Sequence, residues 1–97
     1  MSGPGPAAAH LLADWRAHLA LARRRSPHTV AAYGAAAARL LACCGVDSDV
    51  AVARLTIAEL RRFMAERHAD GLRATSAARE LSAIKAFIRF AADRAGI

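Results

Sequence analysis

The sequence predicts an all-α fold, a compact bundle of four main helices, on three observations. Alanine supplies much of the hydrophobic content and only five aromatics are present, Trp15, Tyr33, Phe63, Phe87 and Phe90; such a composition favours helix over sheet. No proline follows Pro27. No segment alternates apolar and polar residues as a half-buried strand does, whereas apolar residues recur at three- and four-residue steps. The 97 residues fit one domain. A chain of this size buries about 60–70% of the surface its unfolded form exposes, enough for one modest core.

The opening residues 1–9, MSGPGPAAA, lack the positive region of a signal peptide and read as a flexible arm. The folded domain is expected over residues 10–97. The first helix is expected from about Ala8 to Arg24, with Leu11, Leu12, Trp15, Leu19 and Ala22 on one apolar face. Arg23, Arg24 and Arg25 close its last turn, where positive charge complements the helix dipole. Ser26 is a good N-cap and Pro27 suits the first helical position, so a second helix should start there and run to about Cys44. Val30, Tyr33, Ala37, Leu40, Leu41 and Cys44 form its buried stripe, and Gly45 stops it. Its outer face is almost all alanine, which allows close approach by another surface.

Residues 46–55, VDSDVAVARL, read as a loop with room for one helical turn, because Asp47, Ser48 and Asp49 carry turn chemistry. Thr56 and Glu59 match the capping box. A third helix follows to about Ala69, with Leu60, Phe63 and Met64 facing inward and Gly71 ending it. The last helix begins between Ala74 and Ser76 and runs to about Arg94. Its expected core stripe is Ala77, Leu81, Ile84, Ile88 and Ala91, with Phe87 at the edge. The opposite face carries Thr75, Arg79, Ser82, Ala86 and Arg89, with Lys85 on its flank.

Charge narrows the function classes. The formal net charge is +6 and the pI about 11.0. Such a balance suits a polyanionic partner through steering and counterion release; a solvated basic surface would carry the same balance. No apolar run approaches the ~20 residues that a membrane span needs, so a cytoplasmic protein is expected. Cys43 and Cys44 are neighbours, too close in sequence for an ordinary disulfide on a helix and without the partners of a zinc site; they read as small core residues of a reducing compartment. The histidines His10, His18, His28 and His68 are scattered and form no metal-binding spacing. Glu59 belongs to a cap, and Asp14 faces Arg and His neighbours one turn away, ordinary helix pairing. No glycine-rich phosphate loop is present. The sequence therefore argues against an active site, a metal site or a cofactor within this chain.

Two stretches point instead to binding. At Ser26 a helix begins, with free N–H groups and the positive end of its dipole, directly beside Arg23, Arg24 and Arg25. His28 and Thr29 lie in the same first turn and are in reach of a backbone oxygen. Ordinary helix-start chemistry accounts for the same residues. On the last helix, Arg79, Ser82, Lys85 and Arg89 recur at three- and four-residue steps, a pattern that lets a helix enter a major groove. A solvated basic face accounts for these as well. Tyr33 stands on the core-facing stripe without a clustered base, so packing is its expected role.

The run SPHTVAAY, the later HADGL, and RELSAIKAFIRFAADRAGI together resemble the N-terminal core-binding, SAM-like domain of tyrosine recombinases. The chain is similar to the bacterial Xer recombinases that resolve chromosome dimers, and phage integrases carry similar domains. The resemblance spans about Leu11 to Ile97. Its most specific parts are Ser26-Pro27-His28-Thr29 with Tyr33, and residues 78–85, ARELSAIK, with Phe87. It implies a helical bundle that forms one half of a clamp around a duplex recombination half-site, with the second and fourth main helices against the DNA. Arg24, Arg25, Ser26, His28, Thr29 and Tyr33 are then the expected DNA-facing residues of the first surface, and Arg79, Ser82, Lys85 and Arg89 those of the second. The pattern departs from the family where Gly34, Ala35 and Ala36 replace two arginines and an aspartate. It departs again where Arg73 replaces a serine or threonine. In the family a separate C-terminal domain supplies the nucleophilic tyrosine and its partners, so the resemblance implies a non-catalytic domain, and Tyr33 is not that nucleophile. Full-length relatives assemble with other protomers on DNA; this chain alone is expected to be monomeric. The rival readings are a helix-turn-helix regulator and a helical protein-interaction module docking through the alanine face.

Overall fold

Proline opens each of the first two helices. In the computed structural model, which describes residues 5–97, α1 spans Pro6–Ala17 and α2 spans Pro27–Cys44. A first-turn N–H has no intrahelical acceptor, so proline loses no bond there. Three more helices follow: α3 over Asp49–Ala53, α4 over Ile57–Ala69 and α5 over Ala74–Ala95. Among the described residues there is no strand. The architecture is all-α, with four main helices and one short one.

Local chemistry sets most boundaries. Ser26 accepts the Thr29 N–H at 3.2 Å. Thr56 accepts the Glu59 N–H at 3.1 Å while Glu59 Oε1 accepts the Thr56 N–H at 3.2 Å, a closed capping box. Gly45 ends α2 in the left-handed region at φ +65°, where a side chain would be strained. The stretch read as a loop holds α3, because Ser48 caps it by accepting the Ala51 N–H at 3.1 Å and Val52 anchors it at 0% exposure.

α1 departs from expectation at both ends. Pro6 to Ala9 are helical and Ala8 is buried, so this part of the expected arm is corrected; Ala8, Leu11, Leu12 and Trp15 continue one apolar spacing. Residues 1–4 lie outside the described residues. At the other end His18–Ala22 widens into a π-helical turn, with the Arg23 N–H donating to the His18 carbonyl at 3.1 Å. A π turn inserts one residue into the helical repeat. His18, its first residue, packs on Trp15 and Phe90, with ring centroids 5.8 and 4.9 Å apart. Leu21 is exposed, and so is Ala22, expected on the buried face.

The core gathers around α5, which packs on α2, α3 and α4. Being covered from several sides, α5 buries a wider arc than one stripe. Phe87 is its centre at 0% exposure rather than its edge. Ala83 joins it, while Leu81 and Ile88 are only half-buried. Glu80 is buried too. Two polar assignments also change. Cys43 is exposed and donates to Glu66 rather than packing in the core; Cys44 is half-buried. Asp14 pairs across the fold with Arg94 at 2.7 Å, not with a neighbour on its own helix.

Candidate nucleic-acid interface

The start of α2 and the exposed side of α5 face one another across a groove of ≈ 610 Å³. Of the ten sequence-predicted site residues, Arg25, His28, Thr29 and Tyr33 line it from the α2 side, and Arg79 and Ser82 from α5. The structure thus brings six of them together. Arg25 and Tyr33 also form a shared wall with a second hollow of ≈ 400 Å³, where Arg89 lies. Arg24, Ser26 and Lys85 line neither cavity and are exposed.

The turn before α2 is fixed by backbone bonds. The Arg25 N–H donates to the Leu19 carbonyl at 2.9 Å, and Arg24 adopts a positive φ of 51°, uncommon for a residue with a side chain. The three consecutive arginines therefore diverge: Arg23 and Arg25 line the second hollow, while Arg24 stays in solvent. Ser26 Oγ donates to Thr29 Oγ1 at 3.1 Å as well as capping the helix. Its hydroxyl is occupied by α2 itself.

The groove holds residues that the sequence reading missed. Arg39 of α2, Arg67 of α4, and Ser76 and Glu80 of α5 all line it. Glu80 accepts from Arg39, and its Oε2 accepts from Arg67 Nε at 2.6 Å. Its side chain is 5% exposed, against 40% for Arg39 and 21% for Arg67. Burial by itself raises the Glu80 carboxyl; the hydrogen bonds and charges of Arg39 and Arg67 outweigh it and hold the group below its ordinary value. One sequence signal for Glu80 existed. It stands in register with Ala77, Ile84, Phe87 and Ala91 on a buried stripe, and a buried charge requires a partner.

Four arginines, Arg25, Arg39, Arg67 and Arg79, therefore line one cleft edged with hydroxyl and imidazole groups, and two of them, Arg39 and Arg67, grip its one carboxylate. Guanidinium forks recognise phosphate oxygens through paired N–H donors, so the arrangement suits a phosphate backbone. The Cys43 thiol is pushed up to about 11, first by its hydrogen bond to Glu66 and then by burial, the opposite of an activated nucleophile. No group of three or more His, Cys, Asp or Glu among the described residues is placed to hold a metal ion.

Residues 12–95 match the family described as phage integrase, N-terminal SAM-like domain. The tyrosine recombinase XerC of Pseudomonas syringae pv. syringae (strain B728a) is 38% identical over 80 residues, 82% of this chain and 26% of that protein. XerC of Xanthomonas campestris pv. campestris (strain B100) is 34% identical over 87 residues, 89% of this chain and 27% of that protein. XerC of Methylobacterium sp. (strain 4-46) is 37% identical over 82 residues, 80% of this chain and 26% of that protein. The chain spans about a quarter of the length of these curated relatives. No solved structure matches it.

Proposed function

The chain belongs to the family of phage integrase N-terminal, SAM-like domains, and from that premise we propose that it binds duplex DNA for a tyrosine recombinase. It clamps one face of a recombination half-site, while strand cleavage and exchange lie with the part of such a recombinase that this chain does not match. The observation that carries this reading is the groove itself. The first turn of α2 and the polar side of α5 converge on it, and four arginines from across the fold, Arg25, Arg39, Arg67 and Arg79, line it with one carboxylate.

In this reading Arg25, His28 and Thr29 at the start of α2 and Arg79 and Ser82 on α5 meet the duplex within the groove, with Tyr33 packed behind them. Arg24, Ser26, Lys85 and Arg89 extend the contact along the two helices. Phosphate contacts supply most of the affinity and fix the register. Other recombinase protomers join only on DNA, and the chain alone is monomeric and cytoplasmic. Among the described residues no helix is long and apolar enough to cross a membrane.

A helix-turn-helix regulator would share the DNA partner. The short turn between α4 and α5 has a suitable length, but a recognition helix presents its N-terminal residues to base edges. Here Glu80, in the second turn of α5, is buried against Arg67 of α4. The test is fluorescence anisotropy of a short labelled duplex titrated with the protein at rising salt. Binding that weakens by a slope of about 0.9 per phosphate contact is expected. No binding at low salt would overturn the reading and favour a protein-interaction module, whose complex is indifferent to added duplex.

A further inference from the structure

Glu80 has a place that simple electrostatics does not explain. It puts a negative charge in the middle of a groove otherwise suited to anions. It is also the one buried charged residue among the described residues. Its two partners come from different helices, Arg39 from α2 and Arg67 from α4, 41 and 13 residues away along the chain. Each arginine has more donors than Glu80 can accept, and both side chains remain partly open to solvent. Both line the groove together with Arg79, the residue next to Glu80. On their other side Arg39 and Arg67 border a hollow of ≈ 500 Å³ with Glu66 and Asp70. Neither of those acids forms an ion pair with them among the described residues.

We infer that Glu80 is a positioning residue, which holds Arg39 and Arg67 as a fixed pair on the groove floor, and that this pair is a further subsite for a phosphate of the duplex backbone. The inference rests on the DNA-binding reading above and deepens it. An arginine loses rotamer freedom when it grips an anion, and a partner that has already fixed its fork removes part of that cost. A buried carboxylate does this well, because solvent competes little for its oxygens. The pair also supplies positive charge beyond the stretch where Gly34, Ala35 and Ala36 stand, bringing α4 into the contact.

The sign of one substitution separates this from a charge effect. Glu80→Gln removes a negative charge from the groove, so electrostatics alone predicts tighter DNA binding and a steeper salt dependence. Positioning predicts the reverse: binding weaker by about tenfold, the worth of one charge-assisted contact. Arg67→Ala is expected to lower the salt slope by about 0.9, one phosphate contact, and Arg67→Lys to restore it. The measurements are anisotropy titrations of a short labelled duplex between about 50 and about 200 mM salt, with circular dichroism confirming that each variant is folded. If Glu80→Gln does not fold, the two Arg67 variants carry the test, since Glu80 then keeps Arg39. Equal or tighter binding by Glu80→Gln, or an unchanged slope for Arg67→Ala, overturns the subsite. If wild type binds and Arg79→Ala weakens it while these variants bind as wild type does, only this inference fails. If wild type itself does not bind, the DNA reading fails with it.

Discussion

Two arginine–carboxylate clusters tie distant parts of this chain together, one around Glu80 and one around Arg94, and burial separates them. At the groove floor Arg67 Nε lies 2.6 Å from Glu80, whose side chain is 5% exposed. At the other, Arg94 lies 2.7 Å from Asp14, with the two side chains 41% and 40% exposed. In the first, water is excluded from the carboxylate, so its alternatives to arginine are poor. In the second, both groups are solvated whether or not they meet. Similar geometry therefore carries unequal energetic weight. The surface pair has a further role in packing, because Arg94 also lies over the Phe90 ring, 5.5 Å from its centroid, and that ring packs at a tilt on Trp15 and His18.

The comparison breaks most visibly on removal of the buried partner. Glu80→Ala leaves two arginines facing one another without their counter-charge. A fully buried pair broken this way costs about 3–5 kcal/mol; because Arg39 and Arg67 reach solvent, about 2–3 kcal/mol is expected here. Urea unfolding of the variant against wild type measures it.

Acid titrates the same contact. The folded protein holds the Glu80 proton more weakly than the unfolded chain, whose carboxyl has the ordinary value of 4.5. Stability from this group is thus complete above that value and is lost as pH falls through the lower folded value. Thermal unfolding from about pH 7 to about pH 3 should show a smaller acid loss in Glu80→Gln than in wild type. An equal loss would mean that other carboxylates account for the acid sensitivity.

A double-mutant cycle sharpens the contrast. For Glu80 and Arg67 the coupling energy should reach about 1.5–3 kcal/mol, the range for charge-assisted hydrogen bonds. For Asp14 and Arg94 it should fall at about 0.2–1 kcal/mol and shrink in high salt. The smallest effect is expected at Gly34. A methyl group there would meet the Arg16 side chain, which is exposed and able to move aside. Because glycine is a poor helix former, Gly34→Ala should stabilise the protein by about 0.5 kcal/mol, seen as a small rise in Tm.

The family resemblance and the helical organisation were legible before any coordinates. Ser26-Pro27, the Thr56–Glu59 box and Gly45 each announce a boundary that the structure bears out. The π turn was not legible, because HLALA is an unremarkable helical string; its first residue, His18, packs on Trp15 and Phe90, contributed from two parts of the chain. The groove was legible in part. Its rim residues stood out as two separate charged stretches, while Arg39, Arg67 and Glu80 lay in three different segments.

The division follows from the reach of the interactions. By itself the sequence determined where α2 and α4 begin and where α2 ends, because a cap is made between residues three or four apart and needs nothing else. It also determined the basic balance and the residues that carry the family likeness. Only the tertiary structure decided which arc of α5 is buried, that α3 forms on α5, and that one carboxylate gathers arginines from α2 and α4. Those outcomes depend on how helices stack. A contact across 41 residues exists only once the packing of the core has brought its two ends together.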